Sequence, residues 1–187
     1  MIAHWSDVLG FWFGAPDSPE FGRNRRQWFE KSDAFDGLCR ERFLATHDAA
    51  TAGRLDGWAD RPLAALALVV TLDQFPRNMF RGTARAFASD SLALAVARET
   101  IAREFDRLLS PVERSFVYLP FEHAEDLAAQ RRSLALFHAL DGEQVEYARR
   151  HYEIIARYGR FPHRNAILGR PSTAEEIEFL KQPGSSF

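Results

Sequence analysis

The chain has 187 residues, 46% hydrophobic and 27% charged, with a formal net charge of −2. That length suits one domain burying roughly 70% of its unfolded surface, so folding needs neither a metal nor a disulfide. A single cysteine, Cys39, excludes a disulfide framework and any Cys-x-x-Cys pair, and the small net charge excludes a global field that would recruit nucleic acid or an anionic membrane.

The first residues, Met1-Ile2-Ala3-His4-Trp5-Ser6-Asp7, lack the positive region of a signal peptide, and the lone cysteine fits a reducing cytoplasm. The aromatic opening (Trp5, Phe11, Trp12 and Phe13, then Trp28, Phe29 and Phe35) reads as core, because no basic stripe accompanies it as nucleic-acid binding would require. Ser32 is placed to cap a helix whose apolar positions include Phe35, Leu38, Cys39 and Phe43, which makes Cys39 buried and inert. Residues 53–57 end it. Asp60 ahead of Arg61-Pro62 reads as an N-cap followed by a first-turn proline, opening a helix to about Phe75. From Leu63 to Val70 this helix is apolar nearly all round, which predicts a buried central element, yet it is far short of the ~20 residues of a membrane span.

Ser89 or Asp90 opens the next helix, running to about Phe105. Ser110-Pro111-Val112-Glu113 combines an N-cap, a first-turn proline and a capping-box glutamate. Pro120 interrupts or kinks the segment that follows, and helix resumes to Leu140. Asp141-Gly142 turns into a helix ending near Tyr158, with Gly159 as its left-handed terminator. Ser172-Thr173-Ala174-Glu175-Glu176 opens a last short helix to Lys181. Residues 16–22 and 161–171 read as the longer loops. No linker or two-residue alternation interrupts the pattern, which predicts a single all-α domain over 1–187, its core at about 5–181, of seven to nine helices in antiparallel pairs.

Three polar constellations stand out. Asp73-Gln74-Phe75-Pro76-Arg77-Asn78 follows the most apolar helix, and Pro76 frees the Leu72 carbonyl. Helical spacing would put Asp73, Arg77 and Arg81 on one face. In Tyr118-Leu119-Pro120-Phe121-Glu122-His123-Ala124-Glu125-Asp126, the same spacing sets Glu122 beside Glu125 and Asp126, and His123 beside Asp126. Those groups suit acid/base chemistry, or simply a helix start. They make no metal site, since the chain has neither Glu-x-x-His nor His-Glu-x-x-His. The third constellation runs from His151 to Asn165. It sets His151, Ile155 and Tyr158 on one face, pairs Glu153 with Arg157, and offers Arg160, His163, Arg164 and Asn165 after Gly159. Donors that dense suit an anion, or pin a loop to its neighbours.

Val8-Leu9-Gly10-Phe11-Trp12-Phe13-Gly14, Thr71 to Asn78, Pro120 to Asp126 and Tyr158 to Asn165 resemble, in order, the bacterial family known as domain of unknown function 924. The resemblance spans about Trp5 to Phe179. It implies an all-helical, tetratricopeptide-like array of antiparallel helix pairs, and it implies no activity.

The leading functional expectation is a concave cleft binding a small polar or anionic molecule or a peptide carboxylate, with no cofactor and no metal. Arg77, Arg81, Arg160 and Arg164 would supply guanidinium forks, and Gln74, Asn78 and Asn165 would fix orientation. One alternative is a hydrolase using His123 or His163 as base, with Asp73 or Glu122 orienting it. Another is a scaffold presenting a groove to partner proteins. Ligand identity and oligomeric state are not encoded in any motif.

Overall fold

The computed structural model describes every residue except 16, 20, 29, 141–143 and 187. The start of the loop expected at Pro16, the core position expected for Phe29 and the turn expected at Asp141-Gly142 lie outside the described residues. Among the described residues the secondary structure is all helical, with no strand. The helices are α1 (Trp5–Phe13), α2 (Asp33–Thr51), α3 (Pro62–Val69), α4 (Phe75–Met79), α5 (Asp90–Ala102), α6 (Pro111–His123), α7 (Leu127–His138), α8 (Gln144–Tyr158) and α9 (Ala174–Leu180). A π-helical segment, Val70–Gln74, joins α3 to α4 without a break, so the described residues form eight helical rods.

By internal contacts the chain groups into two compact units. The first is Met1–Arg81 with Arg85–Pro120, and the second is Gly82–Ala84 with Phe121–Phe187. At Pro120 the chain passes from first to second inside α6, without a linker.

Most of the start signals act as their chemistry requires. Ser32 accepts the Phe35 N–H at 3.2 Å. Ser110 and Glu113 cap each other across the first turn of α6, and Thr173 and Glu176 do the same for α9. Gly159 adopts φ +68° just after α8, where a Cβ would be strained. Two signals act differently. The residue capping α3 is Arg61 rather than Asp60, with no side-chain bond, and Asp60 instead accepts from Arg103 at 3.1 Å. Ser89 does occupy the N-cap position of α5, but its hydroxyl is directed elsewhere.

That hydroxyl explains why Pro76 does not end the central helix. Proline has no N–H, and its ring collides with the carbonyl four residues back. The chain answers by widening: the Phe75 N–H bonds to the Val70 carbonyl five residues back, and helix continues to Met79. Around the widened turn, side chains take over as donors. Ser89 Oγ donates to the Leu72 carbonyl at 2.6 Å, and Arg77 Nη1 donates to the Asp73 carbonyl. Pro120 likewise sits within α6, which ends at His123. Gln130 Nε2 donates to the Glu122 and Ala124 carbonyls there, at 2.6 and 2.8 Å.

In unit 1, α2 packs on α4, and α3 packs on both α1 and α5. Trp12, Phe13, Phe43 and Phe75 are almost wholly buried and form one aromatic network with Phe11, Trp28, Phe35 and Phe116. Trp28 and Phe116 meet edge to face at 4.7 Å, a geometry that adds stability beyond burial, and Phe43 and Phe75 lie tilted at the same separation. Ala49, Ala50, Leu55, Leu68, Leu72 and Ala93 make a second cluster. Two expected core positions face solvent, Leu38 on α2 and Leu63 on α3, because the neighbouring helices cover only the opposite side. In unit 2, α7 packs on α8, and Ile154, Ile155 and Phe161 form a core closed by Leu127, Tyr158 and Phe179.

The Ser89→Ala variant leaves the buried Leu72 carbonyl without its hydroxyl donor. Its unfolding free energy in urea should fall by about 1–3 kcal/mol with the slope unchanged.

Candidate functional site

In unit 1, the polar cluster around Pro76 is a set of closed ion pairs. Asp73 is fully buried, with the Arg77 guanidinium at 3.5 Å and the Gln74 amide donating to it. Arg77 also forks onto Asp90 in the first turn of α5, at 3.0 and 3.1 Å. Burial would weaken its charge, but Asp73 and Asp90 together raise its affinity for the proton. Arg81 does not continue the face shared by Asp73 and Arg77. It forks onto Asp36 of α2 at 2.7 and 2.9 Å, and Asn78 donates to the same carboxylate at 2.8 Å. Burial would raise the Asp36 pKa, but Arg81 and Asn78 hold it below the usual carboxylate range. The expected forks therefore grip carboxylates of the chain itself. They tie the central helix to α2 and α5.

Unit 1 also contains a Ser-His-Asp order that the sequence did not suggest. His47 Nε2 lies 3.4 Å from Ser89 Oγ, and His47 Nδ1 lies 3.6 Å from Asp48. Nucleophilic chemistry is excluded there by geometry. Ser89 is 1% exposed and its proton is committed to the Leu72 carbonyl. Cys39 is no nucleophile either, because burial pushes its thiol far up in pKa and keeps it protonated.

In unit 2, the loop after Gly159 is pinned by a second network. Arg160 forks onto Glu176 at 2.7 and 2.8 Å. Asn165 donates to Ser172 at 3.0 Å and to Glu176, and accepts from Arg170 at 3.0 Å. Arg170 also forks onto Glu125, which accepts the Phe161 N–H at 2.8 Å. The Arg160 fork, against burial and with help from the Thr173 N–H, holds the Glu176 carboxyl down to about 2. The pairing expected between Glu153 and Arg157 does not form: Glu153 pairs with Arg149, and Arg157 with Glu175 at 2.6 Å. Nor do Glu122, Glu125 and Asp126 share a helical face, since α6 stops at His123. Asp126 is the N-cap of α7, accepting the Ala129 N–H at 2.7 Å, and Glu125 belongs to Arg170.

The remaining candidates of unit 2 gather around the fully buried ring of Phe161. The His151 ring lies 5.5 Å from it, the His163 ring 5.6 Å, and the Arg164 guanidinium 4.5 Å over its face. His123 lies 6.4 Å from His151, centroid to centroid. Glu122, His151 and Arg164 are all buried. Glu122 Oε1 approaches His151 Nδ1 at 3.4 Å, while the Tyr147 carbonyl sits closer, at 2.8 Å. A carbonyl only accepts, so Nδ1 carries the hydrogen and Nε2 holds the lone pair. Burial first, then the positive fields of His123, Arg164 and His163, push the His151 pKa down to about 3. His151 is thus a neutral imidazole at the centre of a nitrogen-rich cluster. The sequence placed it on an apolar helix face and did not single it out. Its partners Glu122 and Phe161 lie 29 and 10 residues away, so no local spacing announces them.

Among the described residues no group of three or more His, Cys, Asp or Glu side chains is placed to hold a metal ion, and no helix is long and apolar enough to cross a membrane. Residues 8–184 match the family described as "Bacterial protein of unknown function (DUF924)". A solved structure of a protein of unknown function from Agrobacterium tumefaciens is 45% identical to the chain, with a TM-score of 0.87. The match covers 95% of this chain and 96% of that one. No curated protein matches the chain.

Two outcomes follow from the charges. Arg77→Ala leaves Asp73 buried without its guanidinium and should cost at least about 3 kcal/mol in urea unfolding. Arg81→Ala, at a more exposed pair, should cost under about 1 kcal/mol. The second concerns pH. The folded pKa of His151, about 3, lies below its ordinary value of 6.5, so the unfolded chain binds a proton that the folded one refuses. Its contribution to stability is complete above pH 6.5 and is lost progressively as pH falls towards 3. Urea midpoints should therefore drop between pH 7 and pH 5, roughly, and His151→Gln should flatten that drop.

Proposed function

The chain belongs to the bacterial DUF924 family, and from that premise we propose that its second unit binds a small carboxylate anion at the cluster around Phe161. The observation that carries this reading is the convergence of two imidazoles, His151 and His163, and the Arg164 guanidinium on the buried Phe161 ring, with a third imidazole, His123, against His151. Burial first, and then the positive fields of His123, Arg164 and His163, lower the His151 pKa, even with the buried Glu122 carboxylate at its Nδ1. A bound anion adds negative charge on the side where those positive fields meet. Arg164 supplies a planar fork matched to a carboxylate, and His123 and His163 supply ring N–H donors. His151, neutral and anchored to the Tyr147 carbonyl, holds the inner side of the site.

Hydrolysis has less support. A general base works best with a pKa near the operating pH. In unit 2, His151 has the Glu122 carboxylate at its Nδ1, and at about 3 it is too weak a base for that role.

The test is NMR of the histidine Cε1–H groups during titration with acetate and succinate. Saturable shifts of His123 and His163 are expected. Arg164→Lys keeps the charge but loses the fork. It should weaken binding roughly tenfold, about 1.4 kcal/mol, while the protein stays folded by circular dichroism. Histidine resonances that ignore both anions, or equal affinity in Arg164→Lys, would sink the reading.

A further inference from the structure

Unit 1 carries a concave surface that lies outside the ion-pair networks above. It has a volume of about 660 Å³, and its lining includes Arg23, Arg25, Arg26, Lys31 and Phe35, with one carboxylate, Glu30. We infer that this hollow binds a small phosphorylated molecule, with its phosphate groups on Arg23, Arg26 and Lys31. The volume falls within the range of small-molecule sites.

Charge is the first argument. Arg23 and Lys31 make no hydrogen bond or ion pair among the described residues, unlike the arginines around Asp73, Asp36 and Glu176, which grip carboxylates. Arg26 faces Glu30 at 3.3 Å, but the two side chains are 90% and 62% exposed. A pair that exposed holds little free energy, so an incoming anion displaces it at small cost. Three cations spread over one hollow suit a ligand with more than one negative charge, and guanidinium forks match phosphate oxygens bidentately.

Rigidity is the second argument. Arg25, itself in the lining, donates through Nη1 to the Phe11 and Trp12 carbonyls at 2.8 and 2.7 Å, and Trp28 Nε1 donates to the Trp12 carbonyl at 2.9 Å. These bonds fix residues 25–28 to the end of α1, so less ordering is required on binding. The Phe35 ring, stacked on Phe11 at 5.0 Å, adds an apolar wall for the organic part of the ligand.

Pyrophosphate is the probe. All four tryptophans (Trp5, Trp12, Trp28 and Trp58) lie in unit 1, and Trp28 directly follows Gln27 of the hollow's lining, so fluorescence reports this hollow. Saturable fluorescence change and calorimetric binding near one equivalent are expected, weakening steeply with added salt. The exposed double substitution Arg23→Ala with Lys31→Ala should lower affinity at least about tenfold with the melting temperature unchanged. Arg54→Ala, which removes a positive charge elsewhere on unit 1, should leave affinity within about twofold. No saturable fluorescence change, or an equal loss in Arg54→Ala, would overturn the assignment. Neither result bears on acetate binding read from histidine resonances.

Discussion

Pro76 removes a backbone donor from the middle of the most deeply buried helix, and much of unit 1 is arranged around replacing it. A buried carbonyl without a donor costs more than a made hydrogen bond contributes, so the deficit has to be met by other groups. The helix widens into a π segment before the proline, and Ser89 from the start of α5 and Arg77 from the next turn donate to the Leu72 and Asp73 carbonyls. Once Arg77 is drawn inward, its charge needs carboxylates, which Asp73 and Asp90 provide. One irregular turn thereby fixes where α5 begins against α3. It also explains why an acidic residue is tolerated at 0% exposure.

The same logic separates the arginines into two kinds. Arg77, Arg81 and Arg160 are held in forks by Asp90, Asp36 and Glu176, and Arg170 by Glu125. They join helices and loops within each unit. Arg164 lies over the Phe161 face beside imidazoles, and its charge helps hold the Glu125 pKa down. Arg23 and Lys31 differ again, exposed around an open hollow. Burial and the sign of the neighbours, rather than residue type, sort a structural guanidinium from one suited to a ligand.

Much of the architecture was legible along the chain. Ser32, the Ser110–Glu113 box, the Thr173–Glu176 box and Gly159 each act within four residues of themselves, so their signal is local and survives into the structure. The expected end at Pro76 failed because a donor from a residue 13 positions later compensates for the proline. Asp60, Leu38 and the Glu153–Arg157 pair failed for a related reason: helical periodicity says which side chains share a face, not which face a neighbour covers. For the candidate sites, the Phe-Pro segments mark polar density, but their spacing does not show that Arg77, Asn78, Arg81, Arg160 and Asn165 meet the carboxylates of Asp90, Asp36 and Glu176.

What the chain determined by itself is helix content, most starting points and the burial of residues 64–70, because propensity, capping and apolar spacing act over a few residues. Only tertiary contact decided that His151, from an apolar face, would meet Glu122 and Phe161 and lose its proton affinity. Proton affinity depends on desolvation and on the fields of neighbouring groups, and neither exists until distant segments pack.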